Sequence, residues 1–288
     1  MLNLVVAPNK YNSRAEKYVK KIVKYLKAEK VEYSVYFSES VDEVIANAKE
    51  LLSYGENEFV IIGDDIIIST FLNGFKDLSR LKLGIIPTSE SDDFARYLEL
   101  ETKPIQAIKN ILNKNIEEID LLIANNVKVV NCVTLGSSVE VFEEIQNLKW
   151  KNFITNKIAK AKANSSYNGL ELTLSVKGSK AKTEILYEVI IANGGYNRGK
   201  KVSPLSNVKD GLFNLVYTKA TSRNLNLKEL KHFKNGEHIY NNDIKQQWLN
   251  NLKITEPHGK IKAVMDGKVY TFDQLEISIV EKGLKIYK

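Results

Sequence analysis

The apolar run Val60-Ile61-Ile62 leads straight into Gly63-Asp64-Asp65, a glycine followed by two carboxylates. Such a junction can do chemistry. A glycine lets backbone N–H groups approach phosphate oxygens with no Cβ in the way, and a carboxylate is a hard oxygen ligand that suits Mg²⁺. Further acids stand at turn-like positions: Asp93, Asp120, Asp210 in Asp210-Gly211-Leu212, and Asp266 in Asp266-Gly267-Lys268. These acids also fit a plainer role as helix caps or turn residues, since Asp accepts bonds from nearby backbone N–H groups. The remaining reactive side chains offer less. Cys132 is the single cysteine, which excludes an internal disulfide, and His232, His238 and His258 lack the spacing of zinc ligands.

Hydrophobic periodicity indicates what must position these residues. Leu2–Ala7 is an apolar run, and residues 14–28 carry Ala15, Val19, Ile22, Val23 and Leu26 at helical spacing. Val31–Phe37 is rich in β-branched and aromatic residues, Val41–Leu52 repeats the helical period, and Glu58–Ile62 is a strand. A helix follows to about Asn73 with Gly74 as its stop, and Leu83–Ile86 is a short strand ended by Pro87. This order predicts a doubly wound parallel sheet with ligands at the carboxyl ends of its strands.

After about Leu121 the pattern changes. Val127–Thr134, Glu171–Val176, Glu184–Ala192, Leu212–Tyr217, Lys260–Met265, Leu275–Val280 and Leu284–Tyr287 read as strands, with Asn-Gly, Lys-Gly, Gly-Gly and Asp-Gly turns among them. The expected fold class is α/β: a doubly wound domain over residues 1–121, then a β-rich sandwich domain over 122–288. Asn147–Ala163 stands apart, with Trp150, Phe153, Ile154 and Ile158 at helical spacing between lysines. It reads either as a core-facing helix with a solvated basic face or as a helix lying on an anionic bilayer.

Length and composition agree with this plan, since 288 residues at 43% hydrophobic content suit about two globular domains. No run reaches the ~18 apolar residues of a spanning helix. The opening MLNLVVAPNK reads as a strand and lacks the charged start of a signal peptide. The expectation is a cytoplasmic protein that can also sit peripherally at the membrane. The formal charge of +7 favours an anionic partner, unless it only marks a lysine-rich solvated surface. No aromatic-basic RNA-binding pattern is present, so nucleic acid is not among the expected partners.

Two longer motifs carry a family resemblance. Gly63-Asp64-Asp65-Ile66-Ile67, followed by Asn73-Gly74, stands where diacylglycerol-kinase-type lipid kinases have Gly-Gly-Asp-Gly-Thr and then a helix ending in Asn-Gly. Leu83-Gly84-Ile85-Ile86-Pro87-Thr88-Ser89-Glu90-Ser91-Asp92-Asp93-Phe94-Ala95-Arg96 resembles that family's Leu-Gly-Ile-Ile-Pro-Leu-Gly-Thr-x-Asn-Asp-Phe-Ala-Arg. Ile119-Asp120-Leu121, Asn131 with Gly136, Ala192-Asn193-Gly194 with Pro204 and Asp210-Gly211, and Met265-Asp266-Gly267-Lys268 continue the likeness in order. Sphingosine kinases and NAD kinases share the two-domain plan.

The resemblance implies phosphoryl transfer from ATP to a lipid hydroxyl, with Mg²⁺. It assigns nucleotide contacts to Gly63, Asp64, Asp65, Ile66, Ser38, Ser89 and Glu90. It assigns metal- and water-organising roles to Asp65, Asp93 and Asp120, and a structural magnesium loop to Asn207, Asp210 and Leu212. The site is expected in a cleft between the domains. The implied partners are a lipid or anionic membrane surface, a nucleotide if the site is active, and a second copy of the chain.

The chain also departs from the pattern. Asp64 and Ile66 replace glycines, Ile67 replaces the threonine, and Ser89-Glu90 replaces Gly-Thr. The amino-terminal Asn-Pro-x-Ser-Gly signature is reduced to Ala7-Pro8-Asn9-Lys10-Tyr11. Lys268 stands where the family has its glutamate base, and an ammonium cannot accept a proton from an attacking hydroxyl. Asp266, two residues earlier, is the expected substitute. These departures predict either an impaired kinase or a catalytically inactive relative that binds a lipid or a small anion.

Overall fold

The structure is a computed structural model and describes residues 1–6, 13–37, 39–88, 92–150, 152–221 and 231–288. It forms two compact units, Met1–Leu121 together with Val280–Lys288, and Leu122–Ile279.

The first unit runs β1 (Leu2–Val6), α1 (Ser13–Ala28), β2 (Tyr33–Phe37), α2 (Val41–Ser53), β3 (Glu58–Gly63), α3 (Asp65–Asn73), β4 (Lys82–Pro87), α4 (Asp93–Tyr97) and α5 (Pro104–Leu112). The fifth strand, β5 (Ile116–Ala124), carries the chain across the unit boundary. The strands lie in the order β2-β1-β3-β4, all parallel. Because β1 is followed on one side by β2 and on the other by β3, the winding reverses there, and open α/β sheets bind ligands beyond the carboxyl ends at such a point. Val60, Ile61 and Ile62 of β3 are fully buried, as expected for a strand covered on both faces. Helix α1 turns Ala15, Val19, Ile22 and Leu26 to the core and leaves Lys17, Lys20, Lys21 and Lys24 in solvent.

Gly74 ends α3, but in a right-handed conformation and not as a left-handed cap. It is required for space, since a Cβ there would collide with the side chain of Ile45 on α2.

The second unit continues with β6 (Val127–Val129), β7 (Cys132–Gly136), α6 (Ser137–Gln146), α7 (Phe153–Ser166), β8 (Leu170–Ser175), β9 (Lys182–Ala192), β10 (Tyr196–Asn197) and β11 (Lys200–Lys201). It closes with β12 (Phe213–Lys219), β13 (Ile244–Leu249), β14 (Asn251–Thr255), β15 (Ile261–Met265), β16 (Lys268–Phe272) and β17 (Gln274–Tyr287). Antiparallel pairing gives the order β16-β15-β7-β9-β8-β14-β17, with β12 also on β9 and β13 on β12. Strand β9 organises the packing. Its Val189 and Ile191 enter the large core with Leu135, Leu172, Phe213 and Ile254. On its other face Ile190 and Ala192 join a smaller cluster with Cys132, Val202, Val216 and Phe233.

Three expectations change. The strand expected over Val127–Thr134 is two strands, β6 and β7. The break falls where the N–H groups of Val130, Asn131 and Cys132 point to the Asp266 carboxylate. The two strands expected at the carboxyl end are one, β17, which continues through Lys282 at φ 52°. Its last stretch pairs in parallel with β4, Lys285 to Lys82 and Ile286 to Leu83, so Val280–Lys288 packs in the first unit and not with the rest of 122–279. Finally, α7 buries only Ala159 and Ala163. Trp150, Phe153, Ile154 and Ile158 are 78%, 74%, 67% and 62% exposed, which overturns the core-facing alternative for that stripe.

Candidate functional site

In the first unit β3 ends at Gly63 and α3 begins two residues later, so the expected phosphate loop is a helix N-terminus. Asp64 is the N-cap: its Oδ1 accepts the backbone N–H of Ile67 at 3.1 Å. A helix N-terminus attracts anions because its first N–H groups lack intrahelical partners. Here the chain supplies its own anion. Ile66 leaves its side chain 44% exposed beside that cap, whereas Ile67, expected in place of a hydroxyl, is buried in the core.

Asp65 reaches to the second motif. Its Oδ2 accepts the N–H of Asp93 at 2.8 Å and of Phe94 at 3.2 Å, so it caps α4 from α3. The Thr88 N–H donates to the Gly63 carbonyl at 3.3 Å, and Arg14 Nη1 donates to the Thr88 carbonyl at 3.4 Å. Gly63, Asp64, Asp65 and Asp93 are thus brought together. Asp120, buried in β5, accepts the N–H of Lys282 at 2.9 Å. Ser38, Ser89, Glu90 and the Ala7–Tyr11 segment lie outside the described residues.

In the second unit Asp266 and Gly267 form the two-residue turn between β15 and β16, with φ of 43° and 83°. Positive φ at both positions is the hairpin geometry that Asp-Gly favours. The Asp266 carboxylate accepts three backbone N–H groups, from Val130 at 2.7 Å, Asn131 at 3.0 Å and Cys132 at 3.4 Å. These oxygens are turned to β7 and the residues before it, where they tie the hairpin down. Lys268 is the first residue of β16, paired with Met265 and half-buried. Asn207 and Asp210 each accept a backbone N–H two residues ahead, from Lys209 at 3.1 Å and Leu212 at 3.0 Å, which is their turn-residue role. Among the described residues no three acid, histidine or cysteine side chains converge as a metal cluster.

One group escaped the sequence expectations. Glu188, 1% exposed, lies on β9 on the same face as Ile190. Its Oε2 accepts Ser137 Oγ at 2.6 Å and the Ser138 N–H at 2.9 Å, and its Oε1 accepts Ser138 Oγ. Burial pushes its carboxyl above the ordinary range, which the bonds from Ser137 and Ser138 only partly oppose. The available signal was an acid inside the otherwise apolar run Ile185–Ala192.

Residues 2–124 match the family model of the diacylglycerol kinase catalytic domain, and residues 131–287 match that of the YegS C-terminal NAD kinase beta sandwich-like domain. The diacylglycerol kinase of Staphylococcus carnosus (strain TM300) is 24% identical over 216 residues, covering 72% of this chain and 69% of that protein. The diacylglycerol kinase of Bacillus subtilis (strain 168) is 24% identical over 226 residues, covering 77% and 74%. A solved diacylglycerol kinase structure from Bacillus anthracis str. Sterne shares the fold with a TM-score of 0.76 at 18% identity, covering 99% of this chain and 96% of that one.

Proposed function

This chain belongs to the family that joins a diacylglycerol kinase catalytic domain to a YegS-type C-terminal domain, and from that membership we propose a lipid kinase-like protein whose phosphoryl transfer is weak. The family generally implies ATP and Mg²⁺, with transfer to a lipid hydroxyl. The residues present fit a polyphosphate poorly. The observation that carries this reading is the Asp64 cap, which puts a carboxylate on the N–H group that a phosphate oxygen would use. A polyphosphate brought beside it meets like charge, which costs on the order of several kcal/mol at low effective dielectric. The base position is altered as well: Lys268 stands there in place of a glutamate, and the Asp266 carboxylate is turned to the amides of Val130, Asn131 and Cys132.

Thermal stability of the full chain, measured with increasing ATP and Mg²⁺, tests this directly, because a ligand raises stability as its concentration passes Kd. The wild type is expected to show no shift at micromolar ATP. Asp64→Ser keeps an oxygen for the cap and removes the charge, so it should bind ATP at least tenfold more tightly. A micromolar wild-type affinity, or rapid phosphorylation of diacylglycerol, would overturn the proposal.

A second reading, a catalytically silent protein that binds anionic lipid, is favoured by α7. Its exposed Phe153, Ile154 and Ile158, with Trp150 before it and Lys149, Lys157 and Lys160 around them, have the character of a helix that lies in a membrane interface. No helix among the described residues is long and apolar enough to cross a membrane. Flotation with phosphatidylglycerol vesicles but not phosphatidylcholine vesicles, in the absence of nucleotide, is the expected result.

A further inference from the structure

A cavity of about 250 Å³ opens where α6 and α7 pass over the smaller core of the second unit. Its floor is buried: Glu188, Ser137, Ile190, Val202 and Phe233 are each 3% exposed or less. Its rim is cationic, formed by Lys160 of α7 with Arg198 and Lys200 from the β10–β11 hairpin, all exposed to solvent. Asn164 and Asn197 line the wall between rim and floor.

We infer that this cavity is a binding site for a hydroxylated phosphate ester of the glycerol phosphate type. The charge pattern selects the ligand. Three cations around one mouth attract an anion and repel an amine, so the buried acid is not there to bind a cationic ligand. Desolvation, with repulsion from Lys160 and Arg198, holds the Lys200 ammonium below its ordinary range, and the buried Glu188 opposes this, so an anion at the rim relieves the crowding of like charge. The Glu188 carboxylate already accepts two donors at Oε2 and one at Oε1, which leaves acceptor capacity for a hydroxyl. A phosphate with a hydroxyl a few bonds away therefore uses both ends of the cavity, whereas inorganic phosphate uses only the rim. Arg198 is held over the Phe142 ring, 5.4 Å from its centroid, so one rim cation is already positioned. The site lies wholly in the second unit and goes beyond the proposed function, since it needs neither ATP nor an active kinase.

The phosphate can come from a soluble ester or from a phosphoglycerol lipid headgroup, and the experiment separates the two. Calorimetry on the full chain compares sn-glycerol 3-phosphate with inorganic phosphate and with glycerol, and flotation compares phosphatidylglycerol with phosphatidylcholine vesicles. Arg198→Gln with Lys200→Gln removes rim charge from exposed positions on the β10–β11 hairpin and leaves every lysine of α7 in place. Lys177→Gln with Lys180→Gln removes the same charge from the β8–β9 turn.

For a soluble ligand, glycerol phosphate should bind at one site at least tenfold more tightly than inorganic phosphate. That affinity should fall at least tenfold in the rim variant and stay within twofold in the turn variant. For a headgroup, glycerol phosphate does not bind detectably, while phosphatidylglycerol vesicles bind and only the rim variant releases them. Glu188→Gln, checked for folding by circular dichroism, should remove the preference for the hydroxylated ester while leaving inorganic phosphate unchanged. If that variant does not fold, the preference is read instead with 1,2-propanediol phosphates that lack one hydroxyl. Equal losses in the rim and turn variants, no binding by either source, or a soluble ester that binds no more tightly than inorganic phosphate would overturn the inference.

Discussion

Asp64 and Asp266 stand in motifs that resemble catalytic ones, and their carboxylates accept backbone N–H groups, one at Asp64 and three at Asp266. The consequence for stability is measurable. Asp266→Ala leaves three partly buried N–H groups without their acceptor and should destabilise the second unit by about 3 kcal/mol or more in chemical denaturation. A loss below about 1 kcal/mol would mean that the amides find water instead. His238 supplies a pH-dependent case. Its ring is fully buried against Phe233, and desolvation lowers its pKa from 6.5 to about 4, although backbone groups of Val202 and His232 partly oppose this. Well above pH 6.5 neither the folded nor the unfolded chain carries the proton. As the pH falls from 6.5 to about 4, the unfolded chain takes up a proton that the folded chain does not, so stability declines across that window. The loss attributable to His238 is roughly 3 kcal/mol, complete below the folded value. The stability of wild type relative to His238→Phe should fall as the pH falls between those limits, and parallel curves would count against the assignment.

At the scale of elements, α7 has its apolar character on the wrong side for packing. The Asn152 side chain accepts the N–H groups of Ile154 and Thr155 at 2.9 Å each, and Thr155 Oγ1 accepts the Asn152 N–H at 3.0 Å, so a capping box starts the helix. Small Ala159 and Ala163 face inward and let the helix lie close. Ile154→Ser with Ile158→Ser should therefore change stability by less than about 1 kcal/mol together, because both residues are exposed. Ala163→Leu should cost about 1–3 kcal/mol through overpacking. The serine pair should also weaken phosphatidylglycerol vesicle binding severalfold under the membrane reading. If stability falls instead, the stripe is packed and that reading fails.

For the whole molecule, the fold depends on a strand from the far end of the sequence. Leu284, Ile286 and Tyr287 are 2% exposed or less and pack in the first unit, although 158 residues of the second unit come between. Burying each such side chain contributes roughly 1.5–3 kcal/mol, comparable in sum with the stability of a whole domain. A chain ending at Ile279 should lose protease resistance in the first unit while retaining it in the second. Equal resistance in both units would show that the parallel pairing with β4 is dispensable.

The sequence by itself determined the kinds of element and where their character changes. The strand at Glu58, the helix of Ala15 and Val19, and the passage to β-rich structure near Leu121 follow from periodicities of two and 3.6 residues, which are local properties. The ordered motifs likewise reveal the family. Tertiary structure decided what each acid does. Asp266 meets the amide of Val130 across 136 positions, and Glu188 meets Ser138 across 50. No local pattern encodes such encounters. The same carboxylate can serve as a base, a ligand, a cap or an anchor, and the N–H and O–H groups that the fold brings to it select among these roles.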